Sequence, residues 1–461
     1  MRDSLFSPWP VYAADEREAA MCPLLSGRVN YWSGREGREF EKEFAAYSER
    51  RYGISLANGT VALELALIAA GIGPGDEVIT TCRTFIASAS AIAVRGATPV
   101  VCDVDPVSQN MTAETFRAVC SDRTRAVICV HLAGWPCDMD PILELAQEKG
   151  LWVIEDCAQA HGARYKGRPV GSIGHMGTFS FCQDKIMSTG GEGGMLVLDD
   201  EDLWERAWAY KDHGKSWDAV YEREHPPGFR WLHESFGTNW RMTEMQAAIG
   251  RVQLGKLDNW VARRRMNAQR LTGAFRGLPG LRVTDPGEGF FHAYYKYYVF
   301  VRPQELTDGW DRDRIMNEIS ARGVPCMSGI CPEIYREKAF FSRDQRSEIR
   351  GQEETEGQRE EGMKRWRDGG RERHRDGGTE GQRELSERSD GSDLATEATG
   401  GLSEGGWLPV ARELGETSLM FLVHPTLRGE EIEKTCAVVA EVMYEATSAN
   451  EATGRGSDLS E

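Results

Sequence analysis

Long apolar stretches are missing from this sequence of 461 residues. No run approaches the ~18 consecutive apolar residues that a membrane-spanning helix needs. Near the first residue, no basic flank is followed by a continuous apolar segment, as it would be in a secretory signal peptide. We therefore expect a cytoplasmic protein that does not bind membranes.

Paired cysteines are missing as well. The chain has 11 cysteines, but no two of them form the Cys-x-x-Cys pair that is typical of zinc sites. Cys326 and Cys331 are the closest two, and nothing near them completes a set of zinc ligands. We expect reduced, mostly buried thiols and no metal site.

A surplus of positive charge is also missing. The chain carries 55 Lys and Arg against 72 Asp and Glu, which gives a formal net charge of −17. Proteins that bind nucleic acid attract phosphates with a basic surface, so this composition argues against that class. An anionic substrate would have to be bound by a local pocket lined with basic groups or backbone amides.

Several common catalytic and nucleotide-binding motifs are also missing. The sequence has no Gly-x-Gly-x-x-Gly after a first strand and no Gly-x-x-x-x-Gly-Lys-Ser/Thr, so a dinucleotide-binding fold and a P-loop ATPase are unsupported. No Gly-x-Ser-x-Gly motif stands between a predicted strand and a predicted helix, as the nucleophile elbow of a hydrolase would.

The first half of the chain contains an alternation of strand and helix patterns. Strands are predicted at Glu77–Thr81, Thr98–Val104, Ala126–Leu132 and Leu151–Glu155, and helices at Val61–Ala70, Ala87–Val94 and Pro141–Lys149. Strands that alternate with helices at this spacing form a parallel sheet with right-handed crossovers. The predicted fold class is therefore α/β, and ligands of such sheets bind at the carboxyl ends of the strands.

Chemistry is expected in the stretch Thr178–Gly194. A short apolar strand leads there to Lys185, and four glycines surround Glu192 shortly afterwards. Glycine is used where the backbone passes close to another group, and a desolvated lysine can form Schiff bases. The stretch predicts a glycine-floored pocket around a bound group, and the alternative is a surface lysine beside a flexible turn.

A candidate anion site stands at the start of the helix Val61–Ala70. Asn58 is placed to cap this helix, and Gly59 and Thr60 offer backbone N–H groups and a hydroxyl at its positive end. The alternative is a capped core helix without a ligand.

A candidate acidic site follows the strand Leu151–Glu155. Asp156 stands at the carboxyl edge of the predicted sheet, with Gln159 and His161 close behind it. Asp156 could instead only cap the next turn, but that role would not explain the Gln and His beside it.

A low-complexity segment interrupts the second half of the chain. It is rich in Glu, Arg, Gly, Gln and Asp and has almost no aliphatic residues, and its motif Glu356–Glu360 recurs at Glu380–Glu384. Such a composition cannot bury enough apolar surface to fold. We divide the chain into an N-terminal arm (1–29), a large domain (30–258), a small C-terminal domain (259–341 and 407–446), a disordered insertion (342–406) and a disordered tail (447–461).

Taken together, the motifs resemble the DegT/StrS family of sugar-nucleotide aminotransferases, which have pyridoxal-phosphate fold type I. The resemblance covers about residues 30–340 and 407–445, and it rests on Asn58-Gly59-Thr60, Phe85, Asp156–Gln159, Ser180 to Lys185 with the glycines after it, Gly237–Met242, Cys331–Tyr335 and His424–Thr426. It implies a large, mostly parallel-sheet α/β/α domain, a smaller α+β C-terminal domain, and a homodimer with shared active sites.

The resemblance also implies residue roles. Lys185 would form the internal aldimine with pyridoxal 5′-phosphate and then shuttle protons, and Asp156 would keep the pyridine nitrogen protonated. The other implied cofactor contacts are Gly59, Thr60 and Ser180 at the phosphate, Phe85 and Gln159 at the ring, and Asn239 from the neighbouring subunit.

The substrate's diphosphate needs cations, and His213, Lys215 and Arg241 are the candidates. Two of them have a structural alternative that we keep open: Arg241 could pair with Glu244, and His213 could only cap its helix.

The implied reaction is a ping-pong transamination. An amino acid, with L-glutamate as the expected donor, supplies the amino group that passes to a keto group of a nucleotide-linked sugar, in cell-surface polysaccharide or antibiotic-sugar synthesis. Related enzymes that remove a sugar hydroxyl carry histidine where Lys185 stands, so Lys185 favours amino transfer. A non-catalytic regulatory protein that binds the cofactor is the remaining alternative.

Overall fold

The computed structural model describes residues 6–341 and 408–448. The predicted insertion (342–406) and residues 449–461 of the predicted tail lie outside these ranges. Within them, no helix combines the length and apolar character that crossing a membrane requires. All 11 cysteines fall inside the described ranges, and they are free thiols.

The strands, numbered in chain order, are β1 (Tyr52–Leu56), β2 (Glu77–Thr81), β3 (Thr98–Cys102), β4 (Thr124–Val130), β5 (Trp152–Asp156), β6 (Arg164–Tyr165), β7 (Arg168–Pro169), β8 (Met176–Ser180), β9 (Gly194–Leu198), β10 (Leu281–Val283), β11 (Phe290–Phe291), β12 (Tyr297–Val301), β13 (Cys326–Met327) and β14 (Ser418–Phe421).

The α-helices are α1 (Ala14–Ser26), α2 (Glu36–Tyr47), α3 (Gly59–Ala69), α4 (Ala87–Val94), α5 (Ala113–Ala118), α6 (Met139–Lys149), α7 (Glu201–Lys211), α8 (Trp217–Tyr221), α9 (Glu244–Leu254), α10 (Leu257–Phe275), α11 (Arg312–Ala321), α12 (Pro409–Thr417) and α13 (Gly429–Thr447).

Among the described residues, seven strands form a central sheet in the order β1-β9-β8-β5-β4-β2-β3. The pairs from β8 through β5, β4 and β2 to β3 are all parallel, as the alternating pattern predicts. The strands β9 and β1 extend the sheet by antiparallel pairing, which the pattern does not predict. Because β8 and β9 are antiparallel neighbours, the chain between them leaves and re-enters the sheet at one edge, and this loop carries Lys185.

Helices cover both faces of the central sheet. On one face, α3 and α7 bury Leu65 and Trp208 against β1 and β9. On the other face, Phe40 and Phe44 of α2 pack with Phe179 of β8. Strands that are covered on both sides consist almost entirely of buried residues, which explains their continuous apolar sequences.

A second sheet, with the order β10-β12-β14-β13, is antiparallel throughout the described residues. Helices α10 and α13 pack on it through side chains such as Leu271 and Val439. Its strand β14 lies between β12 and β13 although it follows residue 408, so the chain beyond the predicted insertion supplies an inner strand. This sheet with its helices matches the α+β unit expected for the C-terminal part, whereas the domain boundaries themselves stay predictions.

The chain is firmly attached where it re-enters the fold. The backbone N–H of Leu408 donates to the Tyr335 hydroxyl at 3.0 Å. At the start of α12, the N–H groups of Val410 and Ala411 donate to the Asp103 carboxylate at 3.0 and 2.9 Å. These bonds fix the start of α12 independently of the sequence that precedes it.

We predict that replacing residues 342–407 with a short Gly/Ser linker leaves the fold intact, because the cost of closing a loop changes little with its length. The shortened protein should remain soluble and unfold thermally within a few degrees of the full chain. As a control, Asp103→Ala in the shortened protein should lower the unfolding midpoint, because it leaves the first N–H groups of α12 unpaired. Insoluble protein after the replacement alone would contradict the prediction.

Candidate functional site

A cavity of about 650 Å³ opens at the carboxyl edge of the central sheet. It lies beyond the ends of β2, β5 and β8, which is where ligands of such sheets bind. Its lining includes the predicted residues Gly59, Thr60, Phe85, Asp156, Gln159, Ser180 and Lys185, together with Thr84, Ser88, Cys182, Asp184, Glu192, Tyr295 and Ile330. The structure thus brings seven of the residues singled out in the sequence into one cavity.

The first turn of α3 forms one wall of the cavity. The Asn58 side chain accepts a hydrogen bond from the Val61 N–H at 3.0 Å, as predicted for an N-cap. Gly59 lies so close to β8 that a Cβ added there would be 2.5 Å from the Ser180 Cβ. The close approach places the positive end of the helix beside the Ser180 hydroxyl, and this combination suits an anion such as a phosphate.

Asp156 lies at the end of β5 and is buried, with 6% of its surface exposed. Its carboxylate accepts hydrogen bonds from the Ser88 hydroxyl at 3.0 Å and from the Ala158 N–H at 3.1 Å. Burial raises its pKa above the usual value, and these two bonds and the charge of Lys185 oppose that shift. Asp156 therefore caps the next turn and also faces the cavity, so the two interpretations of the sequence are compatible.

Gln159 and Phe85 offer two different surfaces to a ligand. The Gln159 side-chain oxygen accepts a hydrogen bond from the Ala133 N–H at 2.9 Å, which leaves its NH₂ group as the end that can donate to a ligand. Phe85 is 61% exposed and lines the cavity. A large aromatic side chain this exposed offers its ring face for stacking.

Lys185 lies in the loop between β8 and β9 and is half-buried at the cavity wall. Its Nζ atom is 5.1 Å from the centre of the Tyr295 ring. The Tyr295 hydroxyl in turn donates a hydrogen bond to the Asp184 carboxylate. Lys185 is thus a wall residue of the cavity and not a surface lysine beside a flexible turn.

The remaining four predicted residues form a separate cluster around the buried Asp212. Lys215 Nζ and Arg241 Nη1 lie 3.0 and 2.7 Å from the Asp212 carboxylate. Asn239 pairs with Asp212 through a backbone bridge, and the His213 carbonyl accepts a hydrogen bond from His233 Nδ1 at 2.9 Å. None of the four lines the described cavity of this chain.

Both structural alternatives for this cluster are wrong. Arg241 does not pair with Glu244, whose carboxylate instead accepts hydrogen bonds from the N–H groups of Glu36 and Gly37. The cap of α7 is Asp212 and not His213. The substrate-binding roles of His213, Lys215 and Arg241 stay predictions.

Sequence reasoning did not find every wall residue. Ser88 holds the Asp156 carboxylate from α4, and a serine within an apolar helix is the one signal that could have indicated it. Tyr295 comes from a distant part of the chain, and no local pattern marks it. His161, by contrast, is buried between Phe179 and Phe181, and burial together with nearby positive charge lowers its pKa to about 3.

The cavity walls are net acidic. Of the described residues that line it, Lys185 is the single cationic side chain, against the carboxylates of Asp156, Asp184 and Glu192. A phosphorylated ligand would therefore be held mainly by the start of α3. A second phosphate group would need cations from outside this set of residues.

The donor set fits pyridoxal 5′-phosphate. The phosphate suits the α3 start with Gly59, Thr60 and Ser180, and a protonated ring nitrogen suits the buried Asp156 carboxylate, whose charge is only partly compensated by its protein partners. The aldehyde requires an amine, which Lys185 supplies, and Phe85 and Gln159 offer contacts for the ring.

Comparison with known proteins gives concordant matches. Residues 13–356 match the DegT/DnrJ/EryC1/StrS aminotransferase family. The chain is 41% identical over 303 residues to GDP-perosamine synthase of Caulobacter vibrioides, covering 64% of this chain and 76% of that protein. It is 39% identical over 331 residues to dTDP-3-amino-3,4,6-trideoxy-alpha-D-glucose transaminase of Streptomyces venezuelae, covering 70% and 80%. The crystal structure of an aminotransferase from Psychrobacter cryohalolentis has 48% sequence identity and a TM-score of 0.82, covering 96% of this chain and 100% of that chain.

We predict that Gly59→Ala weakens binding of pyridoxal 5′-phosphate by about tenfold, because a Cβ there would displace the start of α3 from Ser180. Titration of the apoprotein, followed by absorbance, measures the affinity. Gly73→Ala is the matched control, since a Cβ at Gly73 meets no atom within 4 Å. Equal affinities for the two variants would contradict the assignment of this phosphate site.

Proposed function

Since the chain belongs to the DegT/DnrJ/EryC1/StrS aminotransferase family, we propose that it transfers an amino group from an amino acid to the keto group of a nucleotide-linked sugar. Pyridoxal 5′-phosphate is its cofactor. The observation that carries the proposal is the placement of Lys185, Asp156 and the start of α3 around one cavity.

When bound, the cofactor supplies an aldehyde that condenses with amines and a ring that accepts negative charge from the adjacent carbon. Lys185 provides the amine for that aldehyde. When an amino-acid donor occupies the site, the same Nζ atom would be the base that takes up and returns a proton. Lys185 is half-buried, and its Nζ atom lies beside the Tyr295 ring on the wall of the same cavity.

Asp156 would keep the ring nitrogen of the cofactor protonated. A carboxylate whose pKa is raised by burial is stabilised when a cation binds next to it, so the protonated ring and Asp156 stabilise each other. The Ser88 hydroxyl and the Ala158 N–H hold the carboxylate in one orientation. Phe85 would offer its ring face to the cofactor, and Gln159 would offer its NH₂ group as a donor.

The substrate class follows from the relatives. One relative is named for a GDP-linked sugar and another for a dTDP-linked sugar. Both names describe an amino sugar attached to a nucleoside diphosphate, and we assign a keto sugar of this type as the acceptor. L-Glutamate is the proposed donor, and polysaccharide synthesis in the cytoplasm is the proposed setting.

A homodimer with shared active sites explains how a cavity with acidic walls could bind a substrate that carries two phosphates. A sugar nucleotide carries two phosphates, yet Lys185 is the single cation among the described residues of the wall. Cations from a second copy would complete the site, and the Asp212 cluster contains Lys215 and Arg241 on a loop outside this chain's own cavity. We assign Asn239, on the same loop, to the cofactor phosphate of the partner subunit.

The lysine assignment predicts a spectroscopic result. Purified wild-type protein with pyridoxal 5′-phosphate should absorb in the visible, and L-glutamate should bleach the band. Lys185→Ala should lack the band and the activity, whereas Lys296→Met should keep the band. Lys296 is the matched control because it is a half-buried lysine beside the same Tyr295 ring, with a pKa lowered to about 8 by burial, that does not line the cavity. A colourless wild-type protein would refute the proposal.

Shared sites predict complementation between two impaired variants. Lys185→Ala and Asn239→Ala should each have little activity as homodimers. If the two residues of one site come from different subunits, a heterodimer of these variants contains one site with both changes and one intact site. Dissociating and reassociating an equal mixture should therefore restore up to about a quarter of wild-type activity per subunit, as expected from random pairing and one intact site per heterodimer. No recovery, with heterodimers verified by mass spectrometry, would place both residues in the same subunit's site.

A further inference from the structure

The segment before α1 contacts the loop that carries Lys185. The indole N–H of Trp9 donates to the backbone carbonyl of Lys185 at 2.8 Å. Three residues further on, the Tyr12 hydroxyl lies 3.0 Å from the Ser188 hydroxyl of the same loop. Residues 6–12, which we call the N-terminal strap, therefore bind the outer side of the lysine loop.

The other end of the strap is fixed to the second sheet and its helices. Phe6 is buried in the apolar core of this unit. Ser7 donates to the Glu431 carboxylate at the start of α13 through both its backbone N–H and its hydroxyl. The Pro8 carbonyl accepts a hydrogen bond from the Thr426 hydroxyl at 2.7 Å. The strap thus connects the C-terminal unit to the loop of the central sheet that carries the reactive amine.

Trp9 is held on several sides. Its ring stacks on His424 at 6.1 Å, meets the edge of Trp260 at 5.1 Å, and lies 5.0 Å from the buried Arg264 guanidinium. Two nitrogens of Arg264, Nε and Nη2, are buried without a hydrogen-bond partner among the described residues, and the indole face offers this cation a cation–π contact. A ring fixed in this way can direct its N–H to one acceptor.

The acceptor that Trp9 binds is the backbone at the base of the reactive side chain. A lysine has four rotatable side-chain bonds, so the direction of its amine depends on how the peptide unit beneath it is oriented. The Lys185 N–H donates to the Cys182 carbonyl at 3.1 Å, and Trp9 fixes the carbonyl on the other side of Cα. The two bonds together define the backbone of Lys185.

We propose that Trp9 is a positioning residue for Lys185, which holds the reactive amine at the cavity wall through its hydrogen bond to the Lys185 carbonyl. The inference rests on the proposed function for the role of the amine, but the contact itself does not depend on any ligand. Nothing in the local sequence of the N-terminal arm indicates this role, because the two residues are 176 positions apart.

Three variants separate positioning from simple attachment of the strap. Trp9→Phe keeps an aromatic ring but removes the donor. Trp9→His keeps a ring N–H at the position that corresponds to the indole N–H. Tyr12→Phe is the matched control, because it removes a hydrogen bond between the strap and the same loop that does not involve Lys185.

The first measurement uses the apoprotein. Acetylation of Lys185 with limiting acetic anhydride, quantified by mass spectrometry against the exposed Lys166 of the same sample, reports how the amine is held. In Trp9→Phe we expect the relative rate to rise about fivefold, in line with the loss of one hydrogen bond. Trp9→His and Tyr12→Phe should stay within about twofold of wild type by the same measure.

The second measurement uses the cofactor-loaded protein. Trp9→Phe should lower kcat with little change in KM for the donor, because a misdirected amine affects the proton transfer more than binding. It should also shift the midpoint of the visible band in a pH titration, and Trp9→His should restore both values towards wild type.

Unchanged Lys185 acetylation in Trp9→Phe, or equal changes in Trp9→Phe and Tyr12→Phe, would overturn the proposal. If Trp9→Phe is insoluble, Trp9→His provides the test. A fivefold rise in the relative acetylation rate of Lys185 in Trp9→His, which keeps the N–H donor, would also overturn the proposal. A failure of the proposed function gives a different result. The wild-type protein would then lack the visible band, whereas the acetylation result for the apoprotein would still hold.

Discussion

The site depends on one spatial constraint: a lysine amine and a buried carboxylate must face the same cavity from different strands. Asp156 ends a parallel strand of the central sheet, whereas Lys185 lies on the loop between the antiparallel pair β8 and β9. The reversal at β9 keeps that loop at the carboxyl edge of the sheet, next to Asp156. A wholly parallel sheet would carry the chain after β8 away through a crossover, so the antiparallel addition is what makes the lysine position possible.

The carboxylate in this pair is unfavourable for the protein alone. Asp156 is buried, and its raised pKa means that the ionised form is less stable in the fold than in water. At a pH above the pKa of Asp156 in the folded protein, its charge therefore lowers the stability of the apoprotein. At a pH below the pKa of Asp156 in the unfolded chain, this effect is absent. A cation bound next to Asp156 reverses the sign of this effect, because it stabilises the ionised carboxylate in the folded protein. The same feature that destabilises the empty site thus favours a protonated ring, which is a common compromise between stability and function.

Local sequence patterns predict the parts of the site whose structure is determined by residues close together in the sequence. The cap at Asn58, the strand that ends at Asp156 and the helix α4 are each specified by neighbouring residues, and they were found within about two positions. Lys185 was found because glycine clusters restrict the backbone locally. Contacts between distant segments were not found. Asp212 pairs with both Lys215 and Arg241 through contacts that only the folded loop creates, and the approach of Trp9 to Lys185 depends on how residues 6–12 cross the surface.

The distribution of these distant contacts explains why an acidic chain with a long low-complexity segment can keep one ordered site. The inner strand β14 and helix α13 come from the last part of the described chain, and the strap from its first part reaches α13 through Glu431. Both ends of the described chain therefore converge on the unit that fixes Trp9. Residues 342–407 are inserted before α12, whose start is already held by Asp103. These bonds, like the contact of Trp9 with Lys185, are made entirely by residues 6–341 and 408–448.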